Sequence, residues 1–164
     1  MIHRNLADLG KLLNPFVYEK AGWVLHMLRR QVGTERFWDG LRAYYRRYQG
    51  RTASTRDFRT VMEEVSGQDL GWFFDQWLTR PGLPRIEGSW SWDAKARRVT
   101  VDLAQTQPGE AHRLKLDLAI GTAVEPLEFT GQTLQVSFPA ATEPASVSLD
   151  PGVWTLMTGR LVKR

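Results

Sequence analysis

Cysteine is absent from the 164 residues, which removes disulfides, thiolate metal sites and cysteine nucleophiles from consideration. Long apolar runs are missing as well. The longest candidate, Ala21 to Leu28, is interrupted by His26 and followed by Arg29 and Arg30, far short of the roughly 20 residues that a membrane-spanning helix requires. Met1 to Leu13 has no basic start, apolar stretch and small-residue cleavage site, so no secretory leader is expected here and the address of an exported parent would lie upstream. Histidine is scarce. His3, His26 and His112 are all there is, and none has another four residues away, so no helical turn offers two imidazoles to one ion. No metal site is expected within the chain itself.

What is present reads as a globular protein. Hydrophobic residues make up 42% and charged residues 24%, an ordinary balance, and the length allows one domain or two small ones. The net charge of +4 is unevenly placed: residues 1–83 carry 13 basic and 9 acidic side chains, residues 84–164 carry 9 of each.

Two periodicities divide the chain. Up to about Thr79 apolar residues recur at helical spacing. Tyr18 to Gln31 places Val17, Trp23 or Val24, Leu25, Met27 and Leu28 on such a pattern, with Arg29 and Arg30 in the last turn and Gly33 ending it. Thr34 is the expected N-cap of a second helix carrying Phe37, Trp38, Leu41, Tyr44, Tyr45 and Tyr48; Ser54 or Thr55 caps a third with Phe58, Val61, Met62 and Val65, halting at Ser66-Gly67. A short fourth, Leu70 to Leu78, holds Trp72, Phe73 and Trp77, and Arg80-Pro81-Gly82 closes the helical half.

From Pro84 the period becomes two. Ile86 to Trp92, Arg97 to Ala104, Arg113 to Ile120, Val124 to Phe129, Thr133 to Phe138, Ser146 to Asp150 and Val153 to Met157 read as strands. The expectation is therefore an α-plus-β chain of two domains: an all-α helical bundle over 1–83 and an antiparallel, fibronectin-like β-sandwich over 84–164.

The run Leu12-Leu13-Asn14-Pro15-Phe16-Val17-Tyr18-Glu19-Lys20-Ala21-Gly22-Trp23-Val24-Leu25-His26-Met27-Leu28-Arg29 resembles the gluzincin zinc aminopeptidases, the family of aminopeptidase N and leukotriene-A hydrolase. The similarity continues in order through Phe37-Trp38-Asp39-Gly40-Leu41-Arg42, Thr55-Arg56-Asp57-Phe58, Ser66-Gly67-Gln68-Asp69-Leu70, Phe74-Asp75-Gln76-Trp77-Leu78 and Pro81-Gly82-Leu83-Pro84. The closing Ser148-Leu149-Asp150-Pro151-Gly152-Val153-Trp154-Thr155-Leu156 is similar to the small β-sandwich that follows the catalytic domain in that family.

The resemblance implies a chemistry shared with residues that are not here. In the family a His-Glu-x-x-His helix and a later glutamate bind zinc, and a tyrosine hydroxyl hydrogen-bonds the tetrahedral intermediate. The tyrosine matches Tyr18, the catalytic candidate; Glu19 and Lys20 are substrate-cleft candidates, and no metal ligand is assigned. The family usually has glycine directly after the Tyr-Glu-Lys triplet, whereas here Ala21 precedes Gly22. Zinc is thus expected in the intact parent and not in this chain, which should be inactive alone. Its partners would be the peptide substrate and the zinc-binding segments outside it, and an apolar face left by their absence would favour self-association.

Plainer readings compete at several residues. Glu19 and His26 share a helix face but lie about 10 Å apart, two turns, too far for one ion, so His26 reads as a packing or surface residue. Arg29, Arg30, Arg36, Arg42, Arg46, Arg47 and Arg51, interleaved with Tyr44, Tyr45 and Tyr48, could form a nucleic-acid stripe; with Glu35, Asp39 and Asp57 nearby and the aromatics at core spacing, a solvated helix face is the better reading. Glu63-Glu64 and Asp69 with Asp75 show no sign of opposition across a cleft. The rival from another class is a non-catalytic protein-binding module built on the same fold.

Overall fold

The computed structural model describes residues 15–164, with side chains from Tyr18 onward. It divides into two compact units, Met1–Pro81 and Gly82–Arg164. The described part of the first holds helices α1 (Pro15–Val32), α2 (Thr34–Tyr48), α3 (Thr55–Ser66) and the single turn α4 (Gly71–Phe74), which continues as a π-helical turn at Asp75–Thr79.

One residue separates α1 from α2. Gly33 occupies the cap position of α2 with φ of 90°, a conformation closed to β-branched Thr34; Thr34 is the first helical residue instead of the expected cap. The cap of α3 is as read from the sequence. Ser54 Oγ accepts from the Asp57 backbone N–H at 3.3 Å while Asp57 Oδ2 accepts from the Ser54 N–H at 2.8 Å, a reciprocal capping box. Both hydrogen bonds from Ser54 hold the Asp57 carboxyl below its usual pKa, the side-chain bond contributing most.

The core of this unit gathers Val24, Met27, Leu28, Val61, Met62, Leu70, Phe73 and Trp77. Leu28, Met62 and Leu70 are fully buried, each gaining about 1.5–3 kcal/mol by transfer from water. Gly40 lets α2 approach α3 closely, since a Cβ there would collide with the Met62 sulfur. Not all the aromatics expected in the core are in it. Trp38 is 47% and Tyr45 68% exposed, because at about 100° per residue Tyr45 falls some 140° round α2 from Gly40, the side that meets Met62.

The second unit contains β1 (Arg85–Asp93), β2 (Arg98–Gln105), β3 (Leu114–Ile120), β4 (Ala123–Phe129), β5 (Thr133–Pro139), β6 (Val147–Leu149) and β7 (Thr158–Lys163). They form one sheet in the order β5-β2-β1-β7 and another in the order β4-β3-β6. In the first, Val99, Val101 and Leu103 alternate with Thr100 and Asp102; in the second, Leu114, Leu116 and Leu118 alternate with Lys115 and Asp117. The apolar members are buried on both sheets, as period-two alternation requires.

Two expectations fail here. Val153 to Met157 is not a strand: the Asp150 carboxylate accepts from the N–H groups of Trp154 at 3.1 Å and Thr155 at 2.8 Å, and both Asp150 (φ 48°) and Val153 (φ 51°) are left-handed. Those bonds curl the segment into a loop, and the final strand starts later, at Thr158. Nor is the first sheet wholly antiparallel. β7 runs parallel to β1, Ile86 opposite Gly159 and Gly88 opposite Leu161, because the chain reaches that edge from β6 of the other sheet instead of through a hairpin.

Candidate functional site

Helix α1 carries the Tyr-Glu-Lys triplet, and its packing decides where each of the three points. Pro15 is its first described residue, and Arg29 and Arg30 lie in its last turn, against the negative end of the dipole. Val24, Met27, Leu28 and Val32 are buried and define the inner side.

At about 100° per residue, Tyr18, Gly22, Leu25 and Arg29 fall on one strip roughly opposite Met27, with the buried Val32 beside it at the C-terminal end. Tyr18 is 65% and Leu25 39% exposed. Leu25 has the right spacing for the core but is exposed, while Val32, seven residues on and at nearly the same helical angle, is buried, so spacing alone does not separate them. Val17, grouped with them, has its side chain outside the described residues. Gly22, between Tyr18 and Leu25, is exposed, and a Cβ there would meet no heavy atom within 4 Å. A glycine inside a helix costs about 1 kcal/mol relative to alanine, and among the described residues nothing requires one at this place.

Glu19 is exposed beside Tyr18. Lys20 is half-buried and lies about 200° round the helix from Tyr18; burial, which penalises the ammonium, lowers its pKa. The structure therefore brings Tyr18 and Glu19 to solvent and turns Lys20 toward the packed side.

The two described histidines belong to different units. His26 packs edge-on against Trp23, ring centroids 5.6 Å apart, with Arg29 Nη2 3.5 Å from its Nδ1. His112 is buried in the other unit, where Gln105 clamps its main chain: Gln105 Oε1 accepts from the His112 N–H and Gln105 Nε2 donates to its carbonyl, both at 2.8 Å. His3 lies outside the described residues. Among the described residues no three His, Asp or Glu side chains come together as a metal site would need, so this donor set does not fit zinc.

The arginines of α2 and α3 engage neighbours. Arg42 pairs with Asp39 at 2.6 Å, Arg47 with Glu64 at 2.7 Å and Arg59 with Glu63 at 3.5 Å, while Arg36 donates to the Ser66 carbonyl at 3.2 Å. Glu63 also accepts from the Leu70 N–H at 2.9 Å. No described helix is long and apolar enough to cross a membrane.

Comparison with known proteins finds similarity to one family over part of the chain. Residues 2–77 match the peptidase family M1 domain. The chain is 43% identical over 70 residues to aminopeptidase N of Lactococcus lactis subsp. lactis, covering 43% of this chain and 8% of the relative. It is 29% identical over 139 residues to aminopeptidase N of Escherichia coli strain K12, covering 82% of this chain and 16% of the relative. In fold it is similar to Legionella pneumophila aminopeptidase A, solved in complex with aspartic acid: the TM-score is 0.81 at 16% identity, over 94% of this chain and 19% of that one. The chain thus spans less than a fifth of each of these proteins.

Proposed function

We propose that the chain is part of a peptidase family M1 aminopeptidase, to which it is similar, and that it supplies one wall of a zinc aminopeptidase's substrate cleft, with Tyr18 as its catalytic residue. The observation that carries the reading is the exposure of Tyr18, 65%, on the side of α1 opposite Met27. A buried phenol would be spent on packing; this one is available to a reacting group brought to it.

Its role is electrostatic. The phenol O–H donates a hydrogen bond to the oxygen that gains charge when water adds to the scissile carbonyl. Because the donor sits on a packed helix, little reorganisation is needed as the charge develops, and such a donor lowers the barrier by a few kcal/mol. Glu19, beside it and exposed, borders the same cleft, and Lys20 helps seat the helix from the packed side. The zinc ion of the intact enzyme would supply an activated water and would be held by residues other than those described here. The Gly82–Arg164 unit, which we read as the fibronectin-like sandwich of the family, is structural. The substrate is a peptide with a free N-terminus.

Two experiments test this. The 164-residue chain, purified alone, should neither retain zinc through dialysis nor hydrolyse aminoacyl anilides; metal-dependent turnover by the chain itself would contradict the reading. The role of Tyr18 is read in a graft, with residues 2–77 replacing the matching segment of the Lactococcus lactis aminopeptidase N, where Tyr18→Phe should depress turnover.

A further inference from the structure

Among the described residues, the two sheets of the second unit have four edges, β5 and β7 on one and β4 and β6 on the other. An edge offers unpaired N–H and C=O groups to any other strand, and proteins block that pairing with charge, proline or shortness. Three of these edges are blocked. β7 carries Arg160 and Lys163, β4 carries Glu125 and Glu128 around Pro126, and β6 is 3 residues long. β5 has none of these devices: it runs for 7 residues with its proline in last place, and no charged residue stands between Glu128 and Glu143.

The main chain at the two ends of β5 shows which groups face outward. The Gln105 N–H donates to the Gln132 carbonyl and the Ala140 N–H to the Arg97 carbonyl, both at 2.8 Å. Even-numbered residues of β5 therefore bond to β2, and Thr133, Gln135 and Ser137 turn their N–H and C=O groups away from it. Arg98 Nη2 donates to the Ser137 carbonyl at 2.8 Å, which leaves that oxygen a second lone pair. The Gln135 side chain is drawn back across its own sheet, its Nε2 donating to Asp102 Oδ1 at 2.6 Å. On the core-facing side Leu134, Val136 and Phe138 are half-buried, whereas Leu103, Val101 and Val99, opposite them on β2, are buried.

We infer that β5 is a self-complementary edge, pairing antiparallel with β5 of a second copy of this chain across a two-fold axis at Gln135. Gln135 then meets its own mate and Thr133 meets Ser137 of the second copy, each pair exchanging N–H···O bonds, about six in all. Leu134 comes opposite Val136 of the second copy on the core-facing side, so the apolar side chains gain cover that β2 and its sheet leave incomplete. No like charges are brought together, as they are when β7 meets β7 or β4 meets β4. An uncharged edge has nothing to attract a charged partner, and its own copy matches it in length and polarity. The contact is isologous and closes at the dimer. One strand wide, it belongs with the small transient interfaces below about 1,200 Å², with a dissociation constant of about 0.1 mM. It owes nothing to the role of Tyr18.

The test is amide–water exchange in the isotope-labelled 164-residue chain, followed at the N–H groups of Thr133, Gln135 and Ser137. Between about 50 µM and 1 mM chain these three should slow by about three-fold, the change in free monomer that such a dissociation constant gives. Gln135→Pro should abolish the concentration dependence at Thr133 and Ser137, since the N–H it removes takes no part in the ladder with β2. If that variant loses its dispersed spectrum, the double variant Thr133→Lys with Ser137→Lys, which sets like charges opposite each other twice, should abolish it at Gln135. Tyr45→Ser, on the helical unit, should leave the slowing intact. Exchange at the three amides that is independent of concentration overturns the pairing, and so does slowing that survives both β5 variants. Association seen by sedimentation while these amides stay unprotected also overturns it, because the copies then meet elsewhere.

Discussion

Ser54 and Tyr18 mark the range of what single residues reveal. The capping box at Ser54 and Asp57 is a local contract between a hydroxyl, a carboxylate and two N–H groups, and it could be read directly from a serine three residues ahead of an acid. Ser54→Ala should destabilise the helical unit by about 1 kcal/mol, measured as a lower urea midpoint with an unchanged slope. The same contacts set a pH dependence. Asp57 is held below its usual pKa by Ser54, and Glu64 by the hydrogen bond from Arg47. A carboxylate whose folded pKa is depressed contributes stability that is fully present above its unfolded value and is lost as pH falls through the folded one. Stability of this unit should therefore hold at neutral pH and decline on acidification below roughly pH 4, a decline that Asp57→Asn reduces; a flat profile there would contradict the assignment. Both groups are surface-exposed, so salt should shrink the effect. Exposure was harder to foresee than capping: Leu25 and Tyr45 have apolar side chains at helical spacing, and only the direction of the core, set by α3 and Leu70 far along the chain, places them outside it.

Among the elements, the helices and the first six strands were legible because one periodicity suffices to define each: Val99, Val101 and Leu103 alternate cleanly, and so do Leu114, Leu116 and Leu118. The last strand was not. Val153, Thr155 and Met157 alternate just as a strand would, but the buried Asp150 captures two N–H groups that a strand would use in its ladder, and β7 then pairs in parallel with β1, some 70 residues earlier in the register Arg85 to Thr158. Neither the capture nor the distant pairing leaves a local mark. Asp150→Ala should cost about 1–3 kcal/mol through the two abandoned donors, with amide exchange accelerating first at Trp154 and Thr155. Exchange rising uniformly across the unit instead would show that the loop has no independent hold.

For the whole molecule, the division at Pro81 and Gly82 follows the change from helical to period-two patterning, while the candidate site depends on a motif, since nothing in spacing or composition distinguishes Tyr18 from a structural tyrosine. What composition does contribute is the scarcity of histidine, on which the expectation of a metal held outside this chain rests. We expect the exposed Tyr18, Leu25, Trp38 and Tyr45 to drive self-association of the isolated chain, seen as a sedimentation coefficient that rises with concentration; a monomer at every concentration would count against an uncovered face. The most direct measurement is the turnover number of the Lactococcus lactis graft, zinc-loaded, with Tyr18 and with Tyr18→Phe. The account predicts a fall of about 100- to 1,000-fold, as for loss of an oxyanion donor, with KM little changed and the metal retained. Equal turnover by the two would contradict it.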